Sequence, residues 1–158
     1  MLNLELVRES YNQARSLCKK RIVVCAGTGC IANGSLKVFE SLKNSIALRG
    51  LDITVSLKSE DQNNLKEHDV YMIGSGCQGF CQVGPLVTIE PAGIMYGHVK
   101  PEDAEEIVEK SILKDDPIER LLYHDPVSGK AYKGTAEIPF YTRQSRTGLK
   151  DCGHVDPE

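Results

Sequence analysis

Arg21-Ile22-Val23-Val24-Cys25-Ala26-Gly27-Thr28-Gly29-Cys30 is the stretch on which the reading of this chain turns. Its first half is a short β-branched run, the composition of a buried strand. Its second half is glycine-rich, and four residues separate its two cysteines. Residues 70–81 repeat the arrangement: Val70-Tyr71-Met72-Ile73 reads as a second buried strand, Gly74-Ser75-Gly76 ends it, and Cys77 and Cys81 follow with three residues between them. Two strand ends thus each deliver a pair of thiols. The 46 residues between the pairs make a complete structural unit, so the four sulfurs can meet only if the sheet brings them together.

Outward from these strands, Ser35 to Arg49 carries Leu36, Phe39, Leu42 and Ile46 at helical spacing, with Gly50 as the stop signal. Ile53 to Leu57 alternates like a strand, and Lys58 to His68 is a polar loop. Leu86 to Glu90 and Ile94 to Tyr96 flank the turn Pro91-Ala92-Gly93 and predict a hairpin. Pro101, followed by Glu102, Asp103, Glu105 and Glu106, opens a helix to about Leu113 that buries Ala104, Ile107, Val108 and Ile112. Strand, helix, strand, strand, hairpin and helix make an α/β sandwich, a sheet of four or five strands with helices packed on it.

Three regions follow from the pattern. Residues 1–19 read as an N-terminal helix through Leu4, Leu6, Val7, Tyr11, Ala14 and Leu17, residues 20–116 as the sandwich, and residues 117–158 as an extended arm rich in Pro and Gly. Asp156-Pro157-Glu158 looks like the start of a further element, so the chain is expected to be one piece of a longer polypeptide. Its net charge of −3 leaves no general attraction to nucleic acid, and the cluster Lys19-Lys20-Arg21 reads as a solvated face. No stretch approaches the ~20 apolar residues of a membrane span, and no basic region leads into an apolar one at the N-terminus. A cytoplasmic protein is expected, and in that reducing compartment six cysteines argue for metal or redox chemistry rather than disulfides.

Cys25, Cys30, Cys77 and Cys81 are the candidate metal ligands. An iron-sulfur cluster needs thiolates and backbone N–H groups aimed at its negative sulfurs, and glycine permits that close approach. Seven of the fourteen glycines lie in the two loops, namely Gly27, Gly29, Gly34, Gly74, Gly76, Gly79 and Gly84, and no acid stands from Cys25 to Lys37 or from Gly74 to Ile89. Structural zinc also takes four cysteines at short spacings, and the spacing alone leaves it open. A thioredoxin dithiol needs C-x-x-C, which is absent. A Rieske centre needs two histidine ligands, and only Cys152-Gly153-His154 has the local form. No motif joins a cysteine nucleophile to His68, His98, His124 or His154. Gly29 to Leu36 has the glycine spacing of a phosphate loop but Ser35 where Lys is required. Cys18 and Cys152 have no partner at ligand spacing.

Cys25-Ala26-Gly27-Thr28-Gly29-Cys30 with Gly76-Cys77-Gln78-Gly79-Phe80-Cys81 and Gly84-Pro85-Leu86-Val87 closely resembles the thioredoxin-like 2Fe-2S ferredoxins. More narrowly it resembles the N-terminal domain of the NADH-oxidising flavoprotein subunit of NAD-reducing and electron-bifurcating iron-only hydrogenases, relatives of respiratory complex I. Tyr96 to Ile118 and Gly148 to Glu158 fit that subunit too. The resemblance implies a thioredoxin-like sandwich and a 2Fe-2S cluster on Cys25, Cys30, Cys77 and Cys81. It also implies one-electron transfer in an NAD(P)-linked oxidoreductase complex of the hydrogenase or NADH dehydrogenase type. FMN and NAD would belong to a downstream flavin- and NADH-binding domain, with further iron-sulfur subunits as partners. The competing class is a zinc-holding or cluster-free module that only docks subunits.

Overall fold

The structure, a computed structural model, describes residues 16–55 and 68–148 together with Glu5 and Glu9. Strands β1 (Cys18–Cys25), β2 (Ile53–Val55), β3 (His68–Ser75), β4 (Val87–Glu90) and β5 (Ile94–Tyr96) form one sheet in the order β2-β3-β1-β4-β5. β1 and β2 both run parallel to β3, whereas β4 is antiparallel to β1 and to β5. Parallel neighbours need a crossover. Helix α2 (Ser35–Leu48), preceded by the single turn α1 (Thr28–Ala32), lies in the connection from β1 to β2, while β4 and β5 are joined by the expected hairpin.

Alternation along the strands sets the two faces. Ile22 and Val24 of β1 join Val70, Met72, Val87 and Ile89 in the main core, and Val23, Tyr71 and Ile73 pack on the opposite face. Onto the main core α2 lays Val38, Leu42 and Ile46, all fully buried. Leu36, expected on that stripe, is exposed and Phe39 only half-buried. Counting back in fours from Ile46 and Leu42 reaches Val38, and a helix presents those positions on one face. Gly50, just past the helix, has φ +68 and serves as its left-handed stop. The helix opened by Pro101 also packs here through Ala104, Ile107, Val108 and Ile112, running from a 3-10 turn (Pro101–Asp103) through α3 (Ala104–Glu106) into π-helical turns (Ile107–Ile112).

The boundaries at the N-terminal side differ from expectation. Glu5, Glu9 and Ser16 are helical, and the remainder of the expected helix up to residue 15 lies outside the described residues, as does most of the polar loop before β3. Cys18 and Lys19, assigned to that helix by pattern, instead begin β1, because the strand pairs with β3 from Cys18 opposite His68 onward. Of Lys19-Lys20-Arg21, expected as a solvated face, Lys19 is exposed, Lys20 half-buried and Arg21 buried. Lys19 pairs with Asp69 at 2.8 Å, Lys20 with Asp115, and the buried Arg21 with Glu90 at 3.1 Å from the neighbouring strand.

After the third helix the chain is turned back by Tyr96. Its buried hydroxyl accepts the Ile118 N–H at 2.9 Å and lies 2.7 Å from Ser111 Oγ, which donates to the Asp116 carbonyl. Residues 117–148 hold little regular structure, as their prolines and glycines imply, yet they stay on the body. Ile118 and Leu121 enter the main core. The Met95 N–H donates to the Lys133 carbonyl at 2.8 Å, which covers the β5 edge. A two-residue ladder of β6 (Tyr123–His124) and β7 (Ala131–Tyr132) and the turn α4 (Pro139–Thr142) complete the described arm.

Leu42→Ala opens a cavity under the sheet and is expected to lower unfolding free energy in urea by about 2–5 kcal/mol, whereas Leu48→Ala, at a side chain 87% exposed, should stay within about 0.5 kcal/mol.

Candidate metal centre

The parallel pairing of β1 with β3 brings their C-terminal ends level. Cys25 lies opposite Ser75, and one step further the Ala26 N–H donates to the Ser75 carbonyl at 2.8 Å. Both glycine loops therefore leave the sheet at one end. Cys25 is the last residue of β1, and Cys30 sits on α1, where the sequence pattern suggested only a flexible loop. α1 forms because the Ile31 and Asn33 N–H groups reach the Gly27 and Gly29 carbonyls, which turns Cys30 inward. Cys77 stands in the loop after β3, and Cys81 opens a short 3-10 turn (Cys81–Val83).

The four predicted cysteines lie in two loops at one end of the sheet, as two pairs of different depth. Cys25 and Cys30 are buried, and the Cys30 thiol is hydrogen-bonded with the Cys25 sulfur. Cys77 and Cys81 are exposed, with their sulfurs 3.9 Å apart. A tetrahedral thiolate site with metal–sulfur bonds of about 2.3 Å holds its sulfurs about 3.8 Å apart, so the outer pair already has the span for one metal ion. Among the described residues no three His, Cys, Asp or Glu side chains converge on a single ion. Pairwise thiols suit a two-iron centre, in which four cysteines are shared between two metals.

The loops close on one another only because glycines stand between them. A Cβ at Gly27 would come 2.9 Å from the Cys77 Cβ, and one at Gly84 would come 2.6 Å from the Cys30 sulfur, closer than real carbon atoms approach. Backbone donors face two of the sulfurs, while the Cys25 thiol donates to the Gly76 carbonyl at 3.9 Å. The Leu86 N–H reaches the Cys30 sulfur, and the Gly79 N–H reaches that of Cys77 at 3.4 Å. Burial, followed by the Cys25 sulfur alongside, pushes the Cys30 thiol up to about 12. The Cys77 sulfur likewise pushes Cys81 upward. Protons held this firmly between paired sulfurs must leave when a metal binds, so metal uptake here is favoured by higher pH.

Sequence reasoning missed the part played by the arm. Ile138 is fully buried in the same cluster as Cys25 and Cys30. Phe80, between Cys77 and Cys81, stacks on Phe140 with centroids 4.4 Å apart and meets Tyr141 edge-on. The Tyr141 hydroxyl and Arg146 Nη1 both donate to the Gln78 carbonyl, at 3.3 and 3.2 Å. A compositional signal existed: four of the nine Tyr and Phe residues fall at Tyr123, Tyr132, Phe140 and Tyr141, and a solvated linker is poor in aromatics. Cys18 lies at the opposite end of β1 from this site, and Cys152 is outside the described residues.

The family model of the thioredoxin-like [2Fe-2S] ferredoxins matches residues 9–111. The chain belongs to this family. The chain is 35% identical over 103 residues to a 2Fe-2S ferredoxin of Clostridium pasteurianum, a match covering 65% of this chain and 94% of that one. With a 2Fe-2S ferredoxin of Aquifex aeolicus it shares 50% identity over 48 residues, covering 30% of this chain and 43% of that one. The crystal structure of the wild-type thioredoxin-like [2Fe-2S] ferredoxin from Aquifex aeolicus superposes with a TM-score of 0.50 at 30% identity, over 65% of this chain and 93% of that chain. The fold is thus the expected thioredoxin-like α/β sandwich. The family cofactor is a 2Fe-2S cluster and its activity electron transfer, which sets aside the zinc alternative that spacing left open. Among the described residues no helix is long and apolar enough to cross a membrane.

Gly27→Ala and Gly84→Ala are expected to lower iron bound per chain at least twofold, by forcing apart the loops that carry the cysteines. Gly76→Ala, in the same region but with open space around its Cβ position, should retain the wild-type content. Iron analysis of the three purified variants checks this.

Proposed function

We propose that Cys25, Cys30, Cys77 and Cys81 ligate the 2Fe-2S cluster, the buried pair holding one iron and the exposed pair the other. The reading rests above all on two thiol pairs delivered to the same end of the sheet by the register of β1 with β3. When bound, the cluster supplies reversible uptake of one electron. The protein's own contribution is shape and electrostatics. Cys25 and Cys30 tie the centre into the core, where Leu86, Met95 and Ile138 exclude water around them. The Leu86 and Gly79 N–H groups favour negative charge on the sulfurs they face. Cys77 and Cys81 lie at the surface, so a redox partner can approach that side without displacing the core.

The domain serves in this proposal as one carrier within a larger NAD(P)-linked oxidoreductase of the hydrogenase or NADH dehydrogenase type. It passes electrons between a flavin- and NADH-binding domain and further iron-sulfur subunits. Support comes from the resemblance at Tyr96 to Ile118 and Gly148 to Glu158, and from the arm, which continues past the region matched by the ferredoxin family.

Anaerobic analysis should find about two iron and two sulfide per chain, with visible bands that bleach and a spin-half EPR signal on reduction by dithionite. Serine at any one of Cys25, Cys30, Cys77 or Cys81 is expected to lose or visibly alter that signal, whereas Cys18→Ser leaves it unchanged. An altered cluster in Cys18→Ser, or an unaltered one in any of the four, would contradict the assignment.

A further inference from the structure

Arg146 lies 35 residues beyond the last position matched by the ferredoxin family, yet it is seated on the loop between Cys77 and Cys81. Its guanidinium is fixed on several sides. Nε donates to Gln144 Oε1 at 2.8 Å, Nη1 donates to the Gln78 carbonyl at 3.2 Å, and the plane lies 5.0 Å from the centroid of the Tyr141 ring. Nη2 fills the space a side chain at position 79 would occupy, 2.8 Å from a Cβ built there. Gly79, with φ +81, meets both the conformational and the steric demand, and its N–H points at the Cys77 sulfur. Arg146 is half-buried, and Tyr141 is anchored beside it through Phe80 and the Gln78 carbonyl.

We propose that the C-terminal arm is a charge-bearing strap for the cluster, in which Arg146 raises its reduction potential by placing a fixed positive charge against the Cys77–Cys81 loop. The inference rests on the ligand assignment above. Reduction adds one negative charge to a centre that four thiolates have already made negative, so a cation held nearby stabilises the reduced state more than the oxidised one. No acid stands in either cysteine loop to offset it. Guanidinium does not titrate in the working range, so the charge is permanent, and its geometry comes from three partners rather than from a mobile surface chain. Arg146 acts on the cluster through space and on the Gln78–Gly79 backbone by positioning.

The test is a redox titration of the reconstituted full chain, with one electron per cluster supplied by dithionite and the reduced fraction read by EPR. Arg146→Gln should shift the reduction equilibrium against the reduced state about three- to tenfold, which is about 30–60 mV downward at 59 mV per decade for one electron. Arg146→Lys keeps the charge and should recover at least half of that shift. The difference between wild type and Arg146→Gln should shrink as salt rises from about 0.05 to 1 M, because a half-exposed charge is screened. An unchanged midpoint in Arg146→Gln with full iron and sulfide overturns the proposal, as does a lysine variant displaced as far as the glutamine one. Loss of iron in Arg146→Gln would also overturn it by making the residue structural. Absence of a 2Fe-2S signal from the wild-type chain is a separate failure, that of the ligand assignment itself.

Discussion

Everything at the metal centre depends on the parallel alignment of β1 with β3. Those strands are separated in sequence by α1, α2 and β2, and their register decides whether two distant loops can share a centre. Side chains alternate along a strand, so a slip of one residue would turn Cys25 from its cluster with Cys30 and Leu86 to the face of Ile22 and Val24. The register is held by what the slip would bury wrongly. Ile22 and Val24 must meet α2, Val23 must meet Tyr71 and Ile73, and Arg21 must meet Glu90.

Charge is distributed along β1 in keeping with that role. Its N-terminal half carries Lys19, Lys20 and Arg21, each paired with an acid from Asp69, Asp115 or Glu90. The end that delivers Cys25 has no charged side chain in its loop. Ionic interactions thus fasten the far end of the strand, while the cysteine end is shaped by backbone donors and by close glycine contacts. A centre that becomes more negative on reduction is served by N–H groups aimed at its sulfurs and by a cation held in place, such as Arg146 on the Gln78 carbonyl, rather than by acids in its loops.

The arm shows how a segment without regular structure can still be part of a site. Tyr96 supplies the turning point with a chain of hydrogen bonds from Ile118 to Asp116, and the β5 edge supplies a second attachment through Lys133. From there Ile138 and the aromatic group around Phe80 carry the chain across the mouth of the cysteine loops. Irregular backbone and absence of packing are different properties, and proline and glycine report only the first.

The four cysteines, the strands that end on them, the hairpin, the helix opened by Pro101 and the glycines around the sulfurs are all legible in the residues alone. Those features are local: each rests on the residue types within one turn, one strand or one loop. It takes the folded chain to show that Val38 rather than Leu36 faces the core, that Cys18 begins a strand, that α1 turns Cys30 inward, and that Tyr141 and Arg146 lie on the Gln78 carbonyl. For Cys18, Val38 and Tyr141 the deciding partner lies far away in the chain, respectively β3, the sheet and Phe80, whereas α1 closes on the neighbouring Gly27 and Gly29 carbonyls. Periodicity within a segment carries no information about a surface that exists only once other segments have folded against it.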